Sequence, residues 1–338
     1  MTLKQNIQQN TINELIQLEN IFSVAKDIKT ITIQWATNIA REWIKILWIE
    51  IAKQKFESIQ QLENFLFTAS NMLSQARETE PMLFNGLKYC KQKYLEKLSQ
   101  TSNIPTLQKT ISKAAKDYVD EIQKEEQVRP VIWAKLIKNW YNIMTHCHSS
   151  SVVKILTTTH NQWTKIHVYN TETRPLYQWR KTSKDLVQAW VPNTMITDSS
   201  APFFTDNMHE SHVDIDMVII WSDAIKLNWN VYNKIWSFSI ALAARHSKIP
   251  VYIVWSLLKI DTQNKVKIEI RDGKELRPDR PQWLEIINYA FDMVPAKFIT
   301  WIITEFGIIR PKDLKKAVKK HFWWMLMSQK NWQNKQSN

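Results

Sequence analysis

Cys147 and Asp223 pair a nucleophile-type thiol with a carboxylate where this chain is best placed to do chemistry. Cys147 lies in Met144-Thr145-His146-Cys147-His148-Ser149-Ser150-Ser151. A short apolar run, Trp140 to Ile143, leads into it, and Val152 to Thr159 reads as the start of a helix. A strand that ends in a cysteine and three serines and then turns into a helix builds an anion site. The helix N-terminus offers unpaired N–H groups and about half a positive charge. The same helix end lowers a thiol pKa from about 8.5 toward neutrality, so a partly ionised Cys147 is expected. The plainer alternative is a small buried cysteine beside polar turn residues. Asp223 follows the apolar run Met217 to Ile220. Such surroundings raise a carboxyl pKa, so Asp223 is expected to carry a proton at neutral pH. A thiolate base and a carboxylic acid together move a proton between neighbouring carbons of a sugar.

Other polar groups gather near this pair. Asn233, Lys234 and Lys259 supply donors for a phosphate or a sugar hydroxyl, and Arg174 and Gln178 add two more. Taken singly, each is as well explained by a surface ion pair or a helix cap, and only their convergence raises them. His146-Cys147-His148 and His209-x-x-His212 offer metal ligands of the right types. Side chains alternate along a strand, so His146 and His148 point opposite to Cys147, whereas zinc wants its ligands on one side. No metal and no cofactor are expected. The chain has no P-loop, no GxGxxG and no Ser-His-Asp order.

Positioning such a site takes a scaffold. Residues 1 to about 125 carry apolar residues at helical period, and prolines occur there only at Pro81 and Pro105. Roughly six helices are expected, among them Ile39–Ile51, Gln60–Leu73, Phe84–Leu98 and Ile111–Glu126. From about Val128 the rhythm changes. Short β-rich runs recur at Tyr141–Thr145, Lys165–Asn170, Asn193–Thr197, Asp216–Ile220 and Pro250–Val254. Helical stretches lie between them at Ser151–His160, Lys181–Ala189, Ala201–His209 and Asn233–His246. Val266–Asp272 and Phe298–Thr304 are further strand candidates, and Asp313–His321 is a closing helix. Such alternation predicts a parallel sheet with crossover helices. The expected fold class is α/β: an all-helical N-terminal domain over 1–127, a Rossmann-like parallel-sheet domain over 128–327, and a polar tail over 328–338. Ligands of such sheets sit outside the strand C-termini. Cys147, Thr171–Arg174, Asp198–Ser200, Ser222–Asp223 and Ser256–Lys259 all fall there.

Composition narrows the function classes. The chain has 338 residues, is 44% apolar and carries a formal charge of +13. No apolar run of about 18 residues exists, so no membrane span is expected. Met1 to Asn10 is polar, without the apolar core of a signal peptide. Two cysteines, Cys90 and Cys147, give no disulfide framework, which suits a reducing cytoplasm. The basic residues are scattered among acids with no Arg-rich block, so no nucleic-acid partner is expected and part of the charge suits small anionic substrates. One count is abnormal: 3 Gly against 17 Trp. At about 7% usage roughly twenty glycines would be normal, and α/β turns need them.

The motifs resemble the superfamily that joins sugar-phosphate aldose–ketose isomerases to the regulatory subunits of translation initiation factor two-B. They are MTHCHS (Met144–Ser149), TETRP (Thr171–Pro175) with Gln178, DSSA (Asp198–Ala201), Asp223-Ala224-Ile225 and Asn233-Lys234-Ile235. EIRD (Glu269–Asp272), Phe291-Asp292 with Pro295, and IITEFGII (Ile302–Ile309) complete the series, in family order. The N-terminal half matches weakly, at Ile33–Arg41 and at Arg77 with Asn85. His146-x-His148 is similar to the branch that isomerises ribose 1,5-bisphosphate rather than the methylthioribose-1-phosphate branch, which usually has Asn after the Cys.

The resemblance implies an enzyme, an intramolecular oxidoreductase that turns ribose 1,5-bisphosphate into ribulose 1,5-bisphosphate and feeds nucleotide ribose, as from AMP, to a RuBisCO. Cys147 would be the base at C2 and Asp223 the acid. Gln34-Trp35-Ala36-Thr37 falls on the first phosphate loop and Arg77 on a phosphate arginine. Ser149, Ser150, Ser151, Gln178, Asn233, Lys234 and Lys259 fall on further substrate-binding positions. A homo-oligomer, dimer or hexamer, is implied by family analogy. A methylthioribose-1-phosphate isomerase and a non-catalytic regulatory module are the rival readings; the regulatory subunits commonly lack the Cys–Asp pair retained here. Departures are Gln34 in place of an arginine, which removes one charge-assisted contact, and Glu78 and Glu80 beside Arg77 in place of neutral residues. Trp35, Trp133, Trp140, Trp163, Trp179, Trp190, Trp221, Trp229 and Trp236 stand where the family has glycine. The expectation is that the source lineage reads UGA as glycine, so that most of these positions are glycine in the native protein.

Overall fold

The computed structural model describes residues 18–29, 36–76, 80–206, 213–262, 264 and 266–326. They fall into two compact units, one drawn from Met1–Gln123 and Val318–Asn338, the other Lys124–Ala317. The first unit is helical: α1 (Glu19–Lys29), α2 (Ala36–Lys53), α3 (Ile59–Ala76), α4 (Pro81–Leu98) and most of α5 (Ile104–Ala134). Ile39, Trp43, Ile44, Leu47 and Ile51 recur at helical spacing along α2 and are all buried. Each such side chain contributes about 1.5–3 kcal/mol. Gly86 lets helices approach closely, since a Cβ there would meet the Tyr118 ring at 2.7 Å and Ile44 at 2.8 Å. Tyr118 Oη donates to the Met82 carbonyl at 2.6 Å, and Lys88 Nζ donates to the Met325 carbonyl at 2.6 Å.

The second unit is built on a seven-stranded sheet. Its strands are β1 (Tyr141–Thr145), β2 (Ile166–Thr171), β3 (Asn193–Ile196), β4 (Met217–Trp221), β7 (Val251–Val254), β12 (Trp301–Thr304) and β13 (Gly307–Ile309). The order is β13-β12-β7-β4-β1-β2-β3, parallel throughout except for β13, which pairs antiparallel with β12. The central strands β4 (MVIIW) and β7 (VYIV) read as near-continuous apolar runs because both faces are covered. Crossover helices α6 (Ser150–Asn161), α7 (Trp179–Gln188) and α9 (Ser237–His246) lie between strands, with a single turn α8 (Ala201–Phe204) after β3. The chain winds outward from β1 to β3, then restarts at β4 on the other side of β1. The β1/β4 border is therefore the switch point where such sheets open a crevice. The expected fold class, helices followed by a Rossmann-like sheet, is the observed one.

A second sheet was not foreseen. It holds β5 (Ala224–Lys226), β6 (Val231–Lys234), β8 (Ile260–Asp261) and β11 (Phe291–Val294), in the order β11-β6-β5-β8. A two-stranded pair, β9 (Ile270–Arg271) with β10 (Asn288–Tyr289), and the closing helix α10 (Leu314–His321) complete the set. Asn233 and Lys234, expected at the start of a helix, are thus strand residues. β6 is paired on both edges, and the helix begins only at Ser237, after a left-handed Trp236 with φ 86°. The helix expected over Ala201–His209 ends at Phe204, where the Thr205 hydroxyl turns back onto the Ala201 and Pro202 carbonyls. The helix expected over Ile111–Glu126 runs on past Pro130 to Ala134. Proline costs a helical hydrogen bond there, and the buried Arg129, paired with Glu125 one turn before it, lies on the continuing helix. The polar tail expected over 328–338 lies outside the described residues. No helix among the described residues is long and apolar enough to cross a membrane.

Candidate functional site

Cys147 is the second residue after the β1 end, and it is left-handed, with φ 65°. That region disfavours a non-glycine residue, so the neighbours must hold it. The Cys147 amide donates to Thr173 Oγ1 at 3.1 Å, and Thr182 Oγ1 donates to the Cys147 carbonyl at 3.2 Å. Thr173 is also left-handed, with φ 57°. Its amide and that of Arg174 donate to the two oxygens of Asp198, each at 2.8 Å. Asp198 therefore clamps the loop after β2, and that loop holds the cysteine.

The flanking histidines are buried. His146 Nε2 lies 2.7 Å from the Ile235 carbonyl and Nδ1 2.5 Å from Thr171 Oγ1. A carbonyl only accepts, so Nε2 carries the proton and Nδ1 accepts from the threonine. Burial outweighs the attraction of Asp198, 3.9 Å away, and lowers the His146 pKa to about 4. His148 is lowered to about 4 as well, chiefly by burial, and its Nδ1 lies 3.1 Å from Thr182 Oγ1. Both rings are neutral hydrogen-bonding struts at physiological pH.

Ser149 caps α6, its hydroxyl accepting from the Val152 amide at 3.3 Å. Ser150 is exposed and Ser151 half-buried in the first turn. The anion-type helix end expected from sequence is present, but its expected effect on the thiol is overturned. Part of Cys147 stays accessible, yet burial pushes its thiol up to about 11, against the lowering effect of Lys234 and with a further raise from Asp223. Desolvation of a thiolate outweighs half a helix charge.

Asp223 follows β4, at the other side of the switch point, and its amide donates to the Tyr232 carbonyl at 3.0 Å. Buried Ser222 donates to the Ala224 carbonyl at 2.8 Å. Asn233 and Lys234 are buried on the paired strand β6. Asn233 Nδ2 donates to Ser237 Oγ at 2.9 Å, and the Lys234 ammonium stands 4.8 Å from the Phe291 ring centroid. Asp292 beside it accepts the Phe238 amide at 3.0 Å, and burial raises it to about 7. Lys259 is buried in the turn after β7, its ammonium 4.4 Å from the Trp221 ring centroid. Gln178 precedes α7 without capping it.

The structure thus gathers Cys147, Asp223 and Lys234 into one electrostatic group. Of the other sequence candidates, Ala36 begins α2 and Thr37 is half-buried in it, in the helical unit. Gln34, Trp35, Arg77, Glu78, His209 and His212 lie outside the described residues. Sequence reasoning missed the clamp role of Asp198 and the threonine struts Thr171, Thr173 and Thr182. Their signal is a hydroxyl or carboxylate at three successive strand or helix ends, which spacing alone does not single out.

The sequence profile of the Initiation factor 2 subunit family matches residues 32–311. A ribose 1,5-bisphosphate isomerase of Pyrococcus furiosus is 32% identical over 328 residues, covering 94% of this chain and 98% of its own length. The crystal structure of a 5-methylthioribose 1-phosphate isomerase from Pyrococcus horikoshii is similar, with a TM-score of 0.72 at 25% identity, covering 89% of this chain and 88% of that one. A translation initiation factor eIF-2B structure from the same organism has the same fold, with a TM-score of 0.72 at 21% identity over 88% of this chain and 99% of that one. This chain belongs to the Initiation factor 2 subunit family.

Proposed function

We propose that the chain is an aldose–ketose isomerase that converts ribose 1,5-bisphosphate to ribulose 1,5-bisphosphate. The observation that carries this is the placement of Cys147 and Asp223 on opposite sides of the β1/β4 switch point, with Lys234 and Asp223 both acting on the thiol. The reactive form has one proton moved from Cys147 Sγ to the Asp223 carboxylate, and Lys234 favours the thiolate so formed. Asp223 gives its proton to the ring oxygen as the C1–O bond breaks. Cys147 takes the C2 proton, and the electron pair becomes a C1=C2 bond. The thiol then returns that proton to C1 while the C2 hydroxyl gives its proton to Asp223, leaving a ketone at C2. Both groups end as they began.

Ser149, Ser150, Ser151, Gln178, Asn233, Lys234 and Lys259, with Ala36, Thr37, Gln34, Trp35 and Arg77 of the N-terminal half, are the proposed substrate contacts. Nucleotide ribose is the proposed source, with a RuBisCO downstream and the cytoplasm as the setting. A homo-oligomer is supported by exposed apolar side chains at Ile268, Ile270, Leu276, Trp283, Leu284, Ile287 and Tyr289.

Glycine is proposed at the nine family-glycine positions that read tryptophan. Five of them, Trp140, Trp163, Trp190, Trp229 and Trp236, have φ of 69°, 65°, 58°, 70° and 86°. That region costs a non-glycine residue roughly 1–2 kcal/mol, and β-carbon-free glycine nothing. Trp133 and Trp179 have buried indole N–H groups without a hydrogen-bond partner among the described residues, each a further cost of about 1–3 kcal/mol.

The test is ribulose 1,5-bisphosphate formation by protein made from a gene with glycine at those positions. Turnover is expected, and Cys147→Ser and Asp223→Asn are each expected to lose about 10²–10⁴-fold. Turnover of methylthioribose 1-phosphate alone would select the second isomerase reading. Neither substrate turning over would select a regulatory module. Equal activity in the tryptophan form would overturn the recoding proposal, as would peptides from the source protein carrying indole at Trp221 and Trp236.

A further inference from the structure

Behind the turn that carries Lys259 lies a buried charge cluster that the proposed chemistry does not use. Glu125 and Arg129 come from the end of α5, Ser256 and Leu257 from the end of β7, and Glu305 from the β12–β13 hairpin. All five are buried. The Ser256 hydroxyl donates to Glu125 Oε2 at 2.5 Å and accepts from the Leu258 amide at 3.1 Å. The Leu257 amide donates to Glu305 Oε1 at 3.1 Å. Two consecutive amides of the 256–259 turn are thus tied to the two glutamates, one through Ser256 and one directly. Arg129 Nη1 stands 3.2 Å from Glu125 Oε2 and 3.8 Å from Glu305 Oε2.

The remaining oxygens are the informative ones. Glu125 Oε1 and Glu305 Oε2 are buried and have no hydrogen-bond partner among the described residues. Two carboxylates against one arginine leave an uncompensated negative charge, which a buried site does not tolerate. One proton between those two oxygens removes the charge and satisfies both atoms. Burial and the mutual repulsion of the pair raise Glu125 strongly, and Glu305 is raised by burial. The proton therefore resides on Glu125, which donates to Glu305.

We infer that Glu125, Glu305 and Ser256 are positioning residues that fix the 256–259 turn and so set where Lys259 stands at the sheet edge. The inference rests on the reading of Lys259 as a substrate contact. Lys259 and Arg129 both reach the end of β4, their charged groups 4.4 and 5.6 Å from the ring at Trp221, a position proposed above to be glycine in the native protein. The cluster does not touch substrate in this account; it acts through the turn.

The experiment measures kcat and KM for ribose 1,5-bisphosphate in the full chain with glycine at the nine proposed positions, and the infrared carbonyl band of a protonated carboxyl at neutral pH in the same protein carrying Asp292→Asn, which removes the one other carboxyl described as raised to about 7. Glu125→Ala is expected to raise KM about tenfold, with kcat within about twofold, because uniform substrate binding is lost. Glu125→Gln, a neutral isostere of the protonated acid, is expected to restore KM to within about twofold and abolish the band. Equal KM shifts in Ala and Gln, or a lowered Tm with KM unmoved, would overturn the inference. If Glu125→Ala fails to fold, Ser256→Ala must give the same rise in KM. If the parent protein with glycine at the nine positions turns over no sugar phosphate, with or without Asp292→Asn, the isomerase reading fails by itself. The band then decides: present in that parent and lost in Glu125→Gln supports the shared proton, and its absence from the parent overturns it.

Discussion

The chain holds two cysteines, one in each unit, and their surroundings differ in kind. Cys90 sits in α4 among apolar neighbours, and burial pushes its thiol up to about 12 with little to oppose it. Cys147 is pushed up to about 11 by the same force, but Lys234, Asp223 and Asp198 all act on it and part of it faces the surface. Cys90 also has ordinary helical backbone, whereas Cys147 is left-handed and held by Thr173 and Thr182. Burial makes an inert thiol. Burial together with opposed, positioned charges makes one whose ionisation responds to a single neighbouring change.

Exchanging the cysteines is the hardest test of that contrast. Cys147→Ser is expected to lose about 10²–10⁴-fold in turnover, while Cys90→Ala leaves turnover within about twofold and lowers Tm instead. Comparable losses would break the comparison. Acid should separate the two regions next. His146 and His148 titrate near 4 in the fold, below their ordinary 6.5. The unfolded chain therefore binds more protons between those values, and stability falls as pH drops through that window, by up to about 3 kcal/mol per ring. The amide protection factors of β1 should fall from pH 6.5 to 4 well before those of α4 do, and His146→Gln should flatten the change.

Thiol reactivity sharpens the contrast on a smaller scale. With a pKa of about 11, Cys147 alkylation by iodoacetamide should rise about tenfold per pH unit from 7 to 10 without a plateau. Lys234→Met should slow it several-fold, and Cys90 should stay unlabelled in the folded protein. A plateau near neutrality would restore the thiolate expected from the helix end alone. Asp292, whose folded pKa of about 7 lies above the ordinary 3.8, gives a slope of the opposite sign to that of the histidines. The native state holds that proton longer, so this group's contribution to stability falls as pH rises from about 4 to 7. Asp292→Asn should remove the slope, read as Tm against pH.

Much of this was legible in the sequence, for a physical reason. Strands buried on both faces write themselves as apolar runs, so β4 and β7 could be placed to within a residue, as could β1, β2 and β3, while β12 starts three residues later than expected. Cys147 and Asp223 stand out because reactive side chains directly follow such runs. The short strands β5 and β6 did not, since three or four residues of mixed character carry no period. Asn233 and Lys234 were accordingly read onto a helix that starts at Ser237. The thiol pKa was misjudged because helix ends are visible in sequence and desolvation is not. Glu125 was hidden for a similar reason: among Lys124, Glu126 and Gln127 it looks like surface, and only tertiary packing buries it.

The hairpin β5–β6 has a mechanical consequence. Asp223 is bonded to Tyr232, and Asn233 and Lys234 follow on the same strand, pinned by β11 along the far edge. The proton donor and the cation are therefore cut from one stiff tongue. On the proposed chemistry, an anion held by the lysine is therefore held in fixed register with the acid.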